Sequence, residues 1–563
     1  MKKLRTILAV LLLLAMTLTA LVSCAGGSDN SDKKKDNEDK GSDDTVEIPG
    51  INVSEYKLVR PYSASVSVIG ITSVLKDDIA EFTKVDLPVR IDVDETDKSG
   101  YEILVGKTDR EESTQLLETL SSKTKKQAFA IKAYDKKIAI VGLDDNDTLM
   151  GVRYFINNFV SKSTVKNEIA MKEDFSFMKK TGDVLYVTPD YHVIVREVDS
   201  TIFRPTDPDD IDDYNATYGK IIKLEHQKDA KNNGKLLATH ETIDGSAPPV
   251  FLSKDDGRTW EKLSVVKDTL NPGGIVGYQS YLFELPADVG QFKKGTLLFA
   301  GCTRVAGDTR MVLYSSLDLG KTWTAFVNVD IHGPGKAMGW DSDGLWEPVL
   351  QYEDGRVYCF YSDERLNGTG TGHVGGHNQR LVYKYSTDLM NWSELKECAV
   401  SEDPEDRPGM VALTKMGNGK WALVFEQFYR EGYSGCPIAL KFADSLDSWD
   451  AADMGKIIKN AQGKNMGSAP AITWTPLGGE CGTLFVTASG RNTPMYVSFD
   501  YGETFVSFDN PIDMRYFGNG EVRLGYSPGL FTSKEGEVYY VNNPKAYENY
   551  GSEKLAFAKL VVY

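Results

Sequence analysis

A small α/β domain followed by an all-β array of repeated sheets is the multidomain fold class that this sequence predicts, on three observations. One short pattern recurs. Ser253-Lys-Asp-Asp-Gly-Arg-Thr-Trp260 and Ser316-Leu-Asp-Leu-Gly-Lys-Thr-Trp323 share the form Ser-x-Asp-x-Gly-x-Thr-Trp, and Ser498-Phe-Asp-Tyr-Gly-Glu-Thr-Phe505 repeats it with Phe for Trp. Worn copies stand at Ser386-Thr-Asp-Leu-Met-Asn-Trp392 and Ala443-Asp-Ser-Leu-Asp-Ser-Trp449, giving an interval of about 55 to 70 residues, somewhat above that of a usual four-stranded repeat. From Asp183 onward, short strands, turns and glycines replace helical patterns. Between Val53 and about Phe159, by contrast, strand-like and helix-like stretches interleave, the mark of a small layered domain.

Each position of the repeat has a task in a tight hairpin. Asp255, Asp318 and Asp500, with Asp388 in a worn copy, can accept backbone hydrogen bonds from residues two further on, while Gly257, Gly320 and Gly502 supply a positive φ. The closing aromatic starts the next strand and buries its ring between sheets. This explains a turn and no reaction. The pattern is the Asp box, and the chain from about Asp183 to Tyr563 resembles the sialidase superfamily of six-bladed β-propellers. That resemblance implies boxes at blade corners, away from a site at the other end of the axis.

The 563 residues, 41% hydrophobic and 26% charged, suit more than one soluble globular domain. A net charge of -17 argues against nucleic-acid phosphates as a partner and is neutral about a sugar. Oligomeric state is not legible. Residues 1–24 read as a signal: Lys2, Lys3 and Arg5, an apolar run from Ile7 to Leu14, then Leu21-Val22-Ser23-Cys24. The last four resemble a bacterial lipobox, which implies a diacylglycerol anchor on Cys24 and an extracytoplasmic, membrane-attached protein. Residues 25–52 are polar and lack a core, so a solvated tether is expected. Cys302, Cys359, Cys398, Cys436 and Cys481 carry no metal or disulfide spacing, and their odd number leaves a free thiol.

In the α/β domain, expected at 53–180, Ala64 to Ile69 reads as a strand and Lys76 to Lys84 as a short helix. Val89 to Val93 and Tyr101 to Val105 read as strands, Glu111 to Ser121 as a helix, Ala128 to Tyr134 with Lys137 to Val141 as a hairpin, and Asp147 to Phe159 as a closing helix. Glu102-Ile-Leu-Val-Gly-Lys107 and Asp147-Thr-Leu-Met-Gly-Val-Arg153 resemble the non-catalytic N-terminal domain of hexosaminidases and α-glucuronidases. No catalysis is expected there.

The propeller region, 183–563, carries long loops at Asn271 to Gly274, Gly368 to Gly376 and Asp403 to Gly409, where sites tend to be built. His373 and His377 have metal-compatible spacing only on a helix, which the glycines oppose, so no metal is expected. Leu345-Trp-Glu-Pro-Val-Leu350, Tyr361-Ser-Asp-Glu-Arg365, Gln379-Arg-Leu-Val382, Arg407-Pro-Gly-Met410 and Gly417-Asn-Gly-Lys-Trp-Ala-Leu-Val-Phe-Glu426 follow one another in an order similar to the family 93 glycoside hydrolases. The likeness spans roughly Trp340 to Phe428. It implies exo-acting, retaining release of arabinobiose from α-1,5-linked L-arabinan, with Glu347 and Glu426 as the essential carboxylates.

The residues themselves point the same way. Glu347 lies between Trp346 and Pro348, and Glu426 follows the apolar run Trp421 to Phe425, so desolvation should raise a carboxyl pKa there. A retaining mechanism needs two such groups about 5 Å apart, without metal or organic cofactor; sequence does not say which is the nucleophile. An exo-sialidase is the alternative, and a non-catalytic glycan-binding lipoprotein a third class. Sialidases grip a carboxylate with three arginines, but Lys220 and Glu426 stand where two of them belong, leaving Arg491 at the third. Tyr526, in Gly525-Tyr-Ser-Pro-Gly-Leu530, is a sialidase-type nucleophile, a hydrogen-bond partner of a catalytic glutamate, or a core ring. Trp340, Trp346 and Tyr361 are candidates to stack on sugars, and Arg407 and Arg491 to bind substrate. The last strand, Leu555 to Tyr563, is expected in one sheet with Val184 to Val187, closing the ring.

Overall fold

The computed structural model of the chain describes residues 50–94, 96–204, 216–241, 247–305, 308–332, 344–365, 379–403, 406–428, 430–433, 435–491, 493–513, 524–543 and 554–563. Cys24, most of the expected tether, Trp340, His373 and His377 lie outside them. The end of that tether is structured: Ile51–Asn52 pairs with Glu168–Ile169, because Ile51 buries its side chain in the neighbouring core.

The N-terminal region holds one six-stranded mixed sheet in the order Val89–Ile91, Lys57–Arg60, Glu102–Val105, Lys137–Gly142, Ala128–Ala133, Ser176–Lys180. The helices Val66–Thr83, Glu111–Lys123 and Asp145–Phe155 pack with it. The strand expected at Ala64 to Ile69 is instead the cap and first turn of the long helix. Ser65 caps it, its hydroxyl accepting from the Val68 N–H, and Val68, Ile71, Leu75 and Ile79 face the core at helical spacing. The alternating Ser-Val-Ser-Val of that turn mimics a strand only locally. Buried Glu102 is neutralised by Arg110 and Lys137, an ion-paired core group.

Beyond this region the chain forms six antiparallel sheets arranged as a propeller. The innermost strands of blades I to VI are Lys220–Lys223, Ile275–Glu284, Leu345–Glu353, Arg407–Lys415, Ala471–Thr475 and Gly529–Thr532. In blades I, II, III and V the corner between third and fourth strands is an Asp box, and in blade IV the worn copy, Ala443 to Trp449, has Ser445 in the aspartate's place. Asp255 shows the logic: its carboxylate accepts the Thr259 N–H at 2.9 Å and hydroxyl at 2.7 Å, while the Ser253 hydroxyl bonds Asp255 and accepts the Gly257 N–H. The main acceptance reaches four residues on, two more than the sequence suggested. Asp318 and Asp500 repeat it, and Asp388 substitutes Asn391 for the threonine. Trp260 donates to Ser200 and Trp323 to Ser264, so these two boxes also tie their blades to the ones before. Because first strands leave the site and second strands return, these corners lie on the face opposite the site.

Blade VI closes the ring by pairing its third strand, Leu555–Val562, antiparallel to Val193–Phe203 from the other end of the propeller sequence. The expected Asp183–Val187 belongs to the same sheet one strand further out, bonded to Val193–Phe203 rather than to the last strand. The N-terminal region backs this seam. Val193, Val195, Val561 and Tyr563 share its core, Tyr563 meets Phe129 edge-on at 6.2 Å, and Arg153 donates to the carbonyls of Asp190 and Tyr191. All five cysteines among the described residues are unpaired thiols, three of them buried.

Candidate active site

The innermost strands share a distortion that governs the site. Each blade has a non-glycine residue in the left-handed region at the top of its first strand: Tyr218, Gln279, Glu347, Met410, Ala469 after Ser468, and Ser527, with φ between 44° and 64°. In blades II, III and IV this coincides with a register shift, a bulge that re-aims the side chain. The freed N–H of every such residue donates to the preceding blade: Gln279 to Glu241, Glu347 to the Gln279 side-chain carbonyl, Met410 to Glu347, Ala469 to Glu426, Ser527 to Ser489 and Tyr218 to the Tyr526 carbonyl. The circle is complete, and two of its acceptors are the candidate carboxylates.

Glu347 sits deep in the funnel with partial solvent access. Its Oε2 accepts from the Ser362 hydroxyl at 2.8 Å and the Met410 N–H at 2.9 Å. Burial, then the negative charge of Glu426, pushes its pKa up to about 7, against the pull of those two donors. Glu426, 5% exposed, ends the second strand of blade IV opposite Gly409, and its Oε2 accepts the Ala469 N–H at 2.7 Å. Burial raises its pKa as well, while the Ala469 and Ser468 donors and the charge of Arg407 oppose the rise.

Around the pair stand groups that the sequence placed with mixed success. The Tyr526 hydroxyl lies 3.8 Å from Met410 Sδ, and its ring meets Tyr218 edge-on at 5.4 Å. Burial and then the charges of Glu426 and Glu347 push its phenol pKa well up, so it stays a neutral donor. Lys220 reaches the Pro528 carbonyl at 3.3 Å and Ser527 Oγ at 3.4 Å. Burial lowers its pKa to about 8, opposed by Glu347 and Glu241. Arg407 bonds buried Glu364 and also Gln379 at 2.9 Å; the Trp346 indole donates to the other Glu364 oxygen at 2.8 Å.

Tyr361 is a correction. It is 0% exposed in the core between blades, and its hydroxyl donates to Asp330 at 2.6 Å, so no ring face is free to stack on a sugar. For Arg491 only the backbone is described, paired with Leu524. Sequence reasoning passed over Tyr218, Gln279, Glu241, Ser362, Glu364 and Ala469. One signal was present: Glu347-Pro348, Ala469-Pro470 and Ser527-Pro528 recur at blade spacing. Among the described residues no group of three His, Cys, Asp or Glu side chains is arranged to hold a metal ion. Behind the ring lies an axial cavity of about 660 Å³, reached by Tyr218, Gln279, Glu347, Met410 and Ser527.

Two carboxylates from adjacent blades, Glu347 held protonated to near neutrality and Glu426 almost wholly buried, thus approach one bulge of blade IV. No protein-family profile matches the chain, and no curated protein matches it in sequence. Among solved structures, it is similar to the α-L-arabinanase of Penicillium chrysogenum complexed with arabinobiose, at 28% identity and a TM-score of 0.54, over 64% of this chain and 98% of that one. This is a glycoside hydrolase of arabinanase-like fold. The arabinanase-like propeller is also similar to the α-L-arabinofuranosidase of Fusarium graminearum in complex with an iminosugar inhibitor, at 25% identity and a TM-score of 0.54 over 65% of this chain and 97% of that one. The same Fusarium family 93 enzyme with arabinobiose matches at 25% identity and 0.53, over 64% of this chain and 96% of that one.

Proposed function

We propose that this protein is a surface-anchored, exo-acting, retaining glycoside hydrolase that releases arabinobiose from α-1,5-L-arabinan. One observation carries the reading: both carboxylates touch consecutive residues of one bulge. The Met410 N–H donates to Glu347 at 2.9 Å, and a Cβ on Gly409 would lie 3.6 Å from Glu426 Oε1. That proximity brings both carboxylates to one reacting centre, as a two-carboxylate mechanism requires. Similarity to enzymes solved with arabinobiose supports the substrate.

In this reading Glu426, ionised and steadied by the Ala469 and Ser468 donors and the nearby Arg407, attacks the anomeric carbon as the glycosidic bond breaks. Glu347, protonated up to about pH 7, gives its proton to the leaving oxygen. The ionised Glu347 then takes a proton from water, whose oxygen replaces Glu426 at the anomeric carbon; net retention follows and both carboxyls return to their starting states. Tyr526 is the neutral donor beside the pair. The two-glutamate funnel repels a sialic acid carboxylate, with Lys220 in place of an arginine, and this disfavours the sialidase reading.

Incubation with linear α-1,5-arabinan and, separately, with a fluorogenic sialoside tests the proposal. Arabinobiose of retained anomeric configuration, lost in Glu426→Gln, is the expected result; sialic acid release would refute it. The anchor rests on Leu21-Val22-Ser23-Cys24. Cys24→Ala should move the protein from the detergent phase to the aqueous phase, and unchanged partitioning would refute lipidation.

A further inference from the structure

Glu347 is held from behind as well as from its carboxylate, and the supports come from two blades without a candidate carboxylate of the pair. Its backbone lies at φ 64°, a conformation that costs an L-residue with a Cβ about 1 to 2 kcal/mol, so its N–H needs a fixed acceptor to hold it there. The Gln279 side-chain carbonyl is that acceptor, at 2.8 Å. Gln279 is itself left-handed at φ 60°, and its own N–H donates to Glu241 Oε2 at 3.4 Å. Glu241 is buried, and its N–H is tied to the Thr217 carbonyl at 2.8 Å. The line therefore runs from blade I through blade II into blade III and ends, through Glu347 Oε2, on the Met410 amide of blade IV.

We infer that Gln279 and Glu241 are positioning residues for Glu347, holding its backbone in the left-handed conformation that points its carboxylate at the Met410 amide, the Ser362 hydroxyl and the substrate. The inference rests on the reading of Glu347 as a reacting group. Without the Gln279 acceptor, the Glu347 N–H is left unpaired in a strained turn and the turn relaxes. A misplacement of about 1 Å in such a group can cost on the order of 100-fold in rate. The ionisable groups surrounding Glu347 are Glu426, Glu364, Lys220, Glu241, the phenols of Tyr218 and Tyr526, and the Cys302 thiol; Gln279 adds no charge to them.

The test compares Gln279→Met, which keeps length and loses the acceptor, with Gln279→Glu, which keeps an acceptor and adds charge. Two readouts are taken on the full chain: kcat and KM on arabinan, and the titration midpoint of Glu347, obtained without substrate from the pH at which the growing Tm gap between proteins with and without Glu347→Gln levels off. Gln279→Met is expected to lower kcat about 10- to 100-fold with KM within about threefold, and to move the midpoint. Gln279→Glu should regain most of kcat below the midpoint and shift that midpoint upward. Glu241→Leu should act in the direction of Gln279→Met, by less. A Gln279→Met protein with kcat within twofold of the parent and an unmoved midpoint would overturn the inference. If the parent is inert on arabinan, the substrate assignment fails while the midpoint shift still decides the positioning role.

Discussion

Replacing Glu347 by glutamine should stabilise the protein as it disables it, and the size of the gain follows from the site. Burial and the Glu426 charge raise this carboxyl from 4.5 to about 7. At about 1.4 kcal/mol per pH unit, that difference amounts to roughly 3 kcal/mol. The sign follows from linkage. Below pH 4.5 the group is protonated in both folded and unfolded chains and costs nothing. Between 4.5 and 7 the unfolded chain ionises while the native one resists, so native stability is lost progressively; above 7 the full cost is present. A glutamine oxygen can still accept from Ser362 and Met410, so the exchange removes the charge and keeps the hydrogen bonds. With about 2.1 cal/mol/K of unfolding entropy per residue over roughly 380 to 510 residues, 3 kcal/mol corresponds to a Tm rise of about 3 to 4 °C. Scanning calorimetry from pH 4 to 8 should therefore find parent and variant together below pH 4.5 and separating toward pH 7, while kcat falls about 100- to 10,000-fold. A variant equal to the parent in Tm at pH 7.5, or a gap of the same size at pH 4, would refute a desolvated acid at this position.

Further outcomes test the same structure. The kcat/KM profile of the parent should fall on the alkaline side near pH 7 as Glu347 ionises, and Glu347→Gln should abolish that limb; a limb that persists belongs to another group. Gly257→Ala should cost about 3 kcal/mol by denaturant unfolding, since a Cβ there overlaps the Phe557 ring of the closing strand and φ is 82°. Asp318→Ala should cost about 1 kcal/mol and leave kcat unchanged, because its hydrogen bonds are confined to a corner on the far face. Removing Leu555–Tyr563 should lower Tm sharply, and unchanged melting would sink the closure of blade VI by that strand.

What sequence could and could not reveal divides along the range of the interactions involved. The Asp boxes were legible because the bonds of their serine and aspartate join residues at most four apart, so the pattern and its cause lie in one window. Glu347 and Glu426 were legible through the motifs around them, not through any signal that they meet. Tyr361 was misjudged for want of strand phase. Ser362 turns toward Glu347, so its neighbour Tyr361 must face the other side of the sheet, where Asp330 receives it. The strand carrying Tyr361 alternates regularly, and which of its faces meets the neighbouring blade is set by packing that nothing local announces. Gln279 and Glu241 stand in other blades, and only the stacking of successive blades brings them to Glu347. The helix at Val66–Thr83 failed for the opposite reason: four alternating residues outweighed a helical period that becomes clear only over four turns.

The ring of left-handed residues explains why so large a scaffold surrounds so small a site. At about 1 to 2 kcal/mol each, six such residues represent roughly 6 to 12 kcal/mol of strain, comparable to the whole net stability of an ordinary domain. No single blade offsets this, because each strained N–H finds its acceptor in the blade before it. Each hydrogen bond that offsets the strain needs the neighbouring blade in place, and the last joint, Tyr218 to the Tyr526 carbonyl, forms only when blade VI has closed. The seam at Val193–Phe203 and Leu555–Val562, backed by Tyr563 on Phe129, holds blade VI in the ring that this last joint completes. Glu347 is itself one of the strained residues, since the same bulge that forces its positive φ also turns its side chain from the packed face of the sheet into the funnel. A regular strand at Trp346-Glu347-Pro348 would keep the ladder intact and send the carboxylate elsewhere.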